Sequence, residues 1–169
     1  MSQVTSQTNR FRSGLVIHES QWSLLTVALE EFADRVTAVT TLLVDTTGQL
    51  IYATGIHDST RQTALGALIA SNLAAAEEIA RLTDQTTPHC FTRQEGPVDQ
   101  TISGKIGKHL ALFLIVPQTI SFPHLKQEWL EIARQLTAIL AEPVTDDTFG
   151  GEADFADQLE DELNAMWLE

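Results

Sequence analysis

The spacing of apolar and polar positions differs from one stretch of this chain to the next, and each stretch predicts a secondary-structure element. Between positions 15 and 36, apolar residues fall at helical spacing, which predicts a first helix with Ser20 as its N-cap. Those apolar positions are Leu24, Leu25, Ala28, Leu29 and Phe32. Positions 38–45 (AVTTLLVD) are rich in β-branched residues and predict a strand.

A tight hairpin is predicted after that strand. Asp45 and Gly48 bound a four-residue turn, since Asp bonds nearby backbone amides and Gly accepts a positive φ. The return strand covers 49–54. Simple alternation in that strand predicts Leu50 with Tyr52 on one face, and Ile51 with Ala53 on the other.

The remaining pattern completes an α+β fold. The predicted elements are a long helix over 60–82, strands over 89–93, 98–105 and 110–116, and a closing helix over 122–140. The strand at 110–116 (LALFLIV) is apolar at every position, which is typical of a central strand covered on both faces. The order αββαβββα predicts a five-stranded antiparallel sheet between helices.

The long helix is the strongest candidate for an interaction surface. Small or apolar residues cover more than one of its faces, so one face can cover the sheet and another can meet a second protein. The candidate interface positions on this helix are Ala64, Ala67, Leu68, Ala70, Ser71, Ala74, Ala75 and Glu78. The alternative is ordinary core packing, because alanine is also the best helix former.

Composition narrows the function classes. The net charge is −13, and the ten acids of residues 142–169 occur there without any Lys or Arg. Such a chain is a poor candidate for binding nucleic acid, whose phosphates attract basic residues. One cysteine excludes an intrachain disulfide, and no apolar run reaches bilayer length. We therefore expect a cytoplasmic protein without membrane insertion, with a disordered segment at 1–14, a domain at 15–141 and an acidic tail at 142–169.

The acidic tail carries a second candidate surface. Five apolar residues fall at i, i+4, i+8, i+11 and i+12, which is one face of a helix: Phe155, Leu159, Leu163, Met166 and Trp167. This pattern favours a short amphipathic docking helix, whose target is another protein or the chain's own surface. The alternative is a disordered, solubilising tail.

Catalytic chemistry has little support in the sequence. The five histidines are scattered, and neither HExxH nor CxxC spacing occurs. The lone Cys90 is more typical of a small core residue than of a nucleophile. The P-loop pattern is also missing, so we expect neither an enzyme nor a bound metal or cofactor.

The hairpin LVDTTGQLI at 43–51, the alanine-rich helix at 63–82, the LALFLIV strand and the closing helix resemble the Roadblock/LC7 family, over about residues 18–141. The resemblance implies a profilin-like fold and a homodimer, in which helices 60–82 pair and strands 89–93 join two sheets. Cys90 and Phe91 then belong to the dimer interface. It also implies a small Ras-like GTPase as partner, as for bacterial regulators of this family. The acidic tail departs from a bare family domain.

Two alternatives remain open. One is a small-molecule sensor of the PAS or GAF kind, which needs a pocket lined by convergent polar groups. The other is an interaction scaffold whose partner is not a GTPase. Of the arginines near the long helix, Arg61, Arg81 and Arg93, none is assigned as a finger that completes a GTPase site.

Overall fold

The computed structural model describes residues 8–84 and 91–141. The elements in chain order are β1 (Thr8–Arg10), β2 (Val16–His18), α1 (Glu19–Arg35), β3 (Thr40–Asp45), β4 (Leu50–Thr54), α2 (Ser59–Leu82), β5 (Phe91–Glu95), β6 (Asp99–Ile106), β7 (Leu110–Pro117) and α3 (Phe122–Ala141). Strands β3 to β7 form one antiparallel sheet in the order β4-β3-β7-β6-β5. The predicted α+β fold with a five-stranded antiparallel sheet is confirmed.

The domain has three layers, with helices on both faces of the sheet. Helices α1 and α3 pack side by side on one face of the sheet, and α2 covers the other face. Strand β7 contributes to both interiors: Leu112 and Leu114 face α1 and α3, whereas Ala111 faces α2. The uniformly apolar sequence of this strand therefore reflects coverage on both faces, as expected for a central strand.

A buried amide joins α1 to α3. The Gln21 side chain accepts a hydrogen bond from the backbone N–H of His18 (3.0 Å) and donates to the carbonyl oxygen of Ile139 (3.1 Å). Helix carbonyls in the last turn have no partner within the helix, so this amide satisfies one of them. This hydrogen bond, made by a side chain that is only 5% exposed, holds the start of α1 beside the end of α3.

Two expectations for the N-terminal region were wrong. Disorder was expected over 1–14, and for the described part of that segment this is wrong: Thr8–Arg10 pairs antiparallel with Val16–His18, and Phe11 packs against the core. Residues 1–7 lie outside the described residues. The N-cap of α1 is His18 rather than Ser20, because the helix begins at Glu19. Of the apolar positions that predicted this helix, Leu24 is 48% exposed, whereas Leu25, Ala28, Leu29 and Phe32 are buried.

The alternation predicted for β4 was also wrong. Leu43 pairs with Tyr52, but the next residue of β3, Val44, pairs with Leu50, so the register shifts by one residue. This is a β-bulge, which places one additional residue on β4 opposite β3. Consequently Ile51 and Tyr52 both contact the core below α1 and α3, and Leu50 lies on the α2 side.

Within the described ranges, no helix combines the length and apolarity that crossing a bilayer requires. The predicted tail residues Phe155, Leu159, Leu163, Met166 and Trp167, and the predicted interface residue Cys90, lie outside the described residues.

Candidate interaction surface on helix α2 and strand β5

Helix α2 begins at a well-defined cap. The Asp58 carboxylate accepts hydrogen bonds from the backbone N–H groups of Thr60 (2.9 Å) and Arg61 (3.3 Å). These donors have no partner within the first helical turn, so the carboxylate satisfies them and fixes where the helix starts. The helix then continues for 24 residues to Leu82.

Two glycines set the position of α2 on the sheet. Gly48 lies in the β3–β4 turn with φ +87°, and its backbone touches the backbone of Gly66 in α2. A Cβ atom on Gly66 would lie 2.3 Å from the Gly48 carbonyl oxygen. The turn and the helix therefore approach as closely as bare backbones allow, which only glycine permits.

Asp45 holds the same turn in shape. Its buried carboxylate accepts hydrogen bonds from the backbone N–H groups of Ser13 (3.1 Å), Thr47 (3.0 Å) and Gln49 (2.7 Å), and from the Thr47 hydroxyl (2.7 Å). Burial by itself raises the pKa of Asp45, but these hydrogen bonds favour the ionised form and hold the pKa below its ordinary value. One carboxylate thus ties the N-terminal hairpin to the turn on which α2 rests.

The inner face of α2 is filled by side chains. Ile69 and Leu73 pack against Leu42, Val44 and Ala111 of the sheet. This solid packing disfavours the alternative of a sensor with its pocket between helix and sheet.

The outer face of α2 carries a continuous row that we call the α2 seam. Its six residues are all exposed and follow a spacing of 4, 3, 4, 3 and 4: Ala64, Leu68, Ser71, Ala75, Glu78 and Leu82. The alternation repeats every seven residues, from Ala64 to Ser71 to Glu78 and from Leu68 to Ala75 to Leu82, which is the heptad spacing by which two helices pack along a shared seam. Leu68 and Leu82 are 64% and 65% exposed, so large apolar side chains face solvent at two points of the row.

The structure therefore brings most predicted interface residues together. Ala64, Leu68, Ser71, Ala75 and Glu78 form the seam itself. Ala67 and Ala74 are exposed beside it, whereas Ala70 is half-buried nearer the sheet.

Sequence reasoning missed two large side chains of this surface. Leu82 continues the seam, and Ile79 is 60% exposed next to it. Extending the alternating 4 and 3 spacing one step beyond Glu78 identifies Leu82, so the signal was present in the sequence.

A shallow groove separates α2 from the edge of the sheet. It is lined by residues of the helix and of β5, β6 and β7: Leu65, Leu68, Ile69, Asn72, Thr92, Gln94, Thr101, Ser103 and Phe113. Leu68 belongs to both the seam and this groove, so the two form one continuous surface that reaches β5.

Strand β5 ends the sheet. Among the described strands it pairs only with β6, over five residues in unbroken register. Its outer edge is thus paired with none of the described strands, and an unpaired edge is a template for adding another strand.

The side chain of Phe91 is not part of the α2 surface. It packs on the opposite face of the sheet, in edge-to-face contact with Trp129 (ring centroids 5.1 Å apart) and beside Phe122 (5.7 Å). Phe91 therefore anchors β5 to α3, and only its backbone lies at the open edge. Successive residues of a strand point to opposite faces of the sheet, and in β5 it is Thr92 that points toward α2. The side chain of Phe91 therefore points toward α3.

The arginines near this surface are engaged within the chain. Arg93 stacks over the Phe122 ring at 5.1 Å and donates to Gln100 (2.7 Å). Arg81 forms an exposed ion pair with Glu78 of the seam, whose hydrogen bond lowers the pKa of the Glu78 carboxyl. Arg61 lies 3.7 Å from its helix neighbour Asp58 with 79% of its side chain exposed.

No group of three metal-ligating side chains occurs among residues 8–84 and 91–141.

Comparison with solved structures gives several similar folds. MglB of Myxococcus xanthus superposes with a TM-score of 0.68 at 24% identity, covering 79% of this chain and all of that one. The gliding protein MglB of Thermus thermophilus gives 0.66 at 21% identity, covering 76% and 97% of the two chains. A Roadblock/LC7 domain of Streptomyces avermitilis gives 0.60 at 12% identity, covering 66% and 92%. No family model and no curated protein matches the sequence.

The chain therefore has the Roadblock/LC7 fold, and the resemblance noted in the sequence is confirmed at the level of the fold. At these identities the comparison concerns architecture, and the activity of the chain has to be argued from its own surface.

Proposed function

We propose that this chain is a homodimeric regulator or scaffold of the Roadblock/LC7 type that binds a small Ras-like GTPase, and that it is not itself an enzyme. The observation that carries the dimer is the exposed α2 seam, with its coiled-coil spacing, lying beside the open edge of β5.

Dimerisation through this surface would bury apolar side chains that are exposed to water in the single chain. Small residues at Ala64, Ser71 and Ala75 allow a second helix to approach closely, and Leu68 and Leu82 supply apolar area to bury. A two-fold axis beside β5 pairs the two seams and the two edge strands together, since a symmetric interface uses the same patch twice.

Support for a GTPase partner comes from the fold and from the family resemblance. The two MglB proteins share this architecture over most of the chain, and one MglB is described in a tetrameric arrangement. Paired α2 helices on one side of a joined sheet would offer a broad platform to a partner. Solid packing beneath α2 also favours a docking surface over a ligand pocket.

The dimer is tested by a charge in the seam. Leu68→Glu places a carboxylate where two apolar side chains would meet, and we expect sedimentation equilibrium to show monomer where the wild type shows dimer. Thr63→Glu is the matched control, because Thr63 is exposed on the same helix but outside the seam. An unchanged dimer in the Leu68→Glu variant would refute this interface.

The GTPase is tested separately by affinity capture from a native lysate, with a GTP analogue in one lane and GDP in the other. We expect a Ras-sized GTPase to be enriched in one lane and lost with Leu68→Glu. Absence of any GTPase from both lanes, with an intact dimer, would contradict the GTPase partner. The remaining interpretation would be a dimeric scaffold whose partner is not a GTPase.

A further inference from the structure

One polar side chain stands in the middle of an apolar row beside the α2 seam. Leu65 and Asn72 line the groove between α2 and β5, and Ile79 follows Asn72 at the same seven-residue spacing. Asn72 is exposed, and Ile79 is 60% exposed. The midpoint of the seam, which runs from Ala64 to Leu82, falls at position 73, directly beside Asn72.

The open edge of β5 decides in which direction two copies can meet. Joining two β5 edges into one continuous sheet, with both α2 helices on the same side of it, requires a two-fold axis perpendicular to the sheet. An axis in that direction makes the two β5 strands antiparallel, and it makes the two α2 helices antiparallel as well. This arrangement rests on the dimer of the proposed function and adds to it the direction and register of the helices.

Size and charge along the seam suit the antiparallel direction. With the seam centred on the axis, Ala64 of each helix faces Leu82 of the other, so a small side chain meets a large one. Leu68 then packs between Ile79 and Leu82 of the second copy, which buries the three large exposed side chains of this surface. Parallel helices would instead set Leu82 against Leu82 and the two Glu78 carboxylates against each other, which brings like charges together.

In the same register, Asn72 lies opposite its own copy. Antiparallel pairing brings the two β5-side rows together, so Leu65 of one helix meets Ile79 of the other on either side of the axis. An Asn amide carries both donors and an acceptor, so each copy can donate a hydrogen bond to the other. We infer that Asn72 lies on the two-fold axis of the dimer and exchanges hydrogen bonds with Asn72 of the second copy.

This pair of amides sets the register of the two helices. A slip of seven residues would keep the seam spacing but would place Asn72 opposite Leu65 or Ile79. The buried amide would then have no hydrogen-bond partner, and leaving a buried polar group unpaired is costly. A single buried Asn specifies the register of coiled coils for this reason. Asn72 is therefore the residue that distinguishes the symmetric register from its neighbours along the seam.

The position of Asn72 is tested by a pair of opposite charges. Asn72→Asp and Asn72→Lys each place two like charges at the axis, and each should raise the Kd of the dimer at least about tenfold in sedimentation equilibrium. An equimolar mixture of the two variants should restore the dimer, because one carboxylate then faces one ammonium. Thr63→Asp and Thr63→Lys are the matched controls, because Thr63 is exposed on the same helix outside the seam, and they should leave the Kd unchanged alone or mixed.

The direction of the helices is tested by cross-linking between introduced cysteines. The background is Cys90→Ser, which removes the single native cysteine. With diamide as the oxidant of the thiols, Asn72→Cys should form a disulfide-linked dimer with itself. Ala64→Cys and Leu82→Cys should each stay unlinked alone and should cross-link when the two proteins are mixed.

The outcomes separate this inference from the proposed dimer. A mixture of the Asn72→Asp and Asn72→Lys variants that is no tighter than either alone, beside a dimeric wild type, would overturn the inference and leave the dimer standing. Cross-linking of Ala64→Cys with itself would show parallel helices and would also overturn the inference. A monomeric wild type would overturn both the inference and the dimer.

Discussion

Replacing Gly66 by alanine tests whether backbone contact positions α2. Helix propensity alone favours alanine over glycine by about 1 kcal/mol at an interior helical position. The structure opposes this gain, because the new Cβ would lie 2.3 Å from the Gly48 carbonyl oxygen. The obstructing atom is backbone, so no rotamer change relieves the contact, and the turn and helix must separate.

The gain in helix propensity and the cost of the clash together predict a lower free energy of unfolding. Overpacking costs about 1–3 kcal/mol, and a clash with backbone belongs at the upper end of that range. Subtracting the gain in propensity leaves a loss of about 2 kcal/mol in the free energy of unfolding. For a chain of this length, the melting temperature should fall by about 4–8 °C.

Thermal and urea denaturation followed by circular dichroism measure this change. Thr63→Ala is the control, because Thr63 is exposed on the same helix and its replacement adds propensity without a clash. A Gly66→Ala variant as stable as the wild type, or more stable, would refute the close approach of turn and helix.

Three further substitutions test other contacts of the domain. Asp45→Asn should lower the melting temperature near pH 7. Because the folded-state pKa of Asp45 is lowered, the ionised carboxylate stabilises the fold above about pH 4, and this stabilisation is lost as the pH falls through the folded-state pKa. The difference in melting temperature between the two proteins should therefore shrink at low pH. Gln21→Glu replaces a donor facing the Ile139 carbonyl by an acceptor and should cost about 1–3 kcal/mol in urea denaturation, whereas Gln127→Glu, exposed on α3, should change little. Arg93→Ala removes a cation–π contact worth about 0.5–1 kcal/mol and the hydrogen bond to the buried Gln100 oxygen, so amide exchange in β5 should accelerate and the melting temperature should fall. Equal exchange rates in the two proteins would contradict a contribution of Arg93 to the stability of this strand.

Local signals in the sequence located the elements of the fold. The cap at Asp58 and the turn at Asp45–Gly48 depend on side chains bonding amides two to four residues away, so the sequence shows them directly. The β-bulge in β4 depends on pairing with β3 across the sheet, which periodicity within one strand does not report. The β1–β2 hairpin likewise depends on tertiary contacts, such as that between Ser13 and Asp45.

The sequence predicted which elements carry the candidate surface but not which of their side chains point outward. Alanines occur around most of α2, so sequence alone predicted an interaction helix without distinguishing its outward row from its flanks. Phe91 was assigned to the interface because its strand lies at the sheet edge, but its ring packs under α3. The acidic segment and Cys90 remain predictions.

The two edges of the sheet differ in how readily they could accept a further strand. Strand β4 carries a bulge at one edge, and bulged edges resist the addition of further strands. Strand β5 offers five residues in regular register at the other edge. A sheet that can be extended at only one edge closes after two copies meet, whereas two regular edges would permit an open-ended filament.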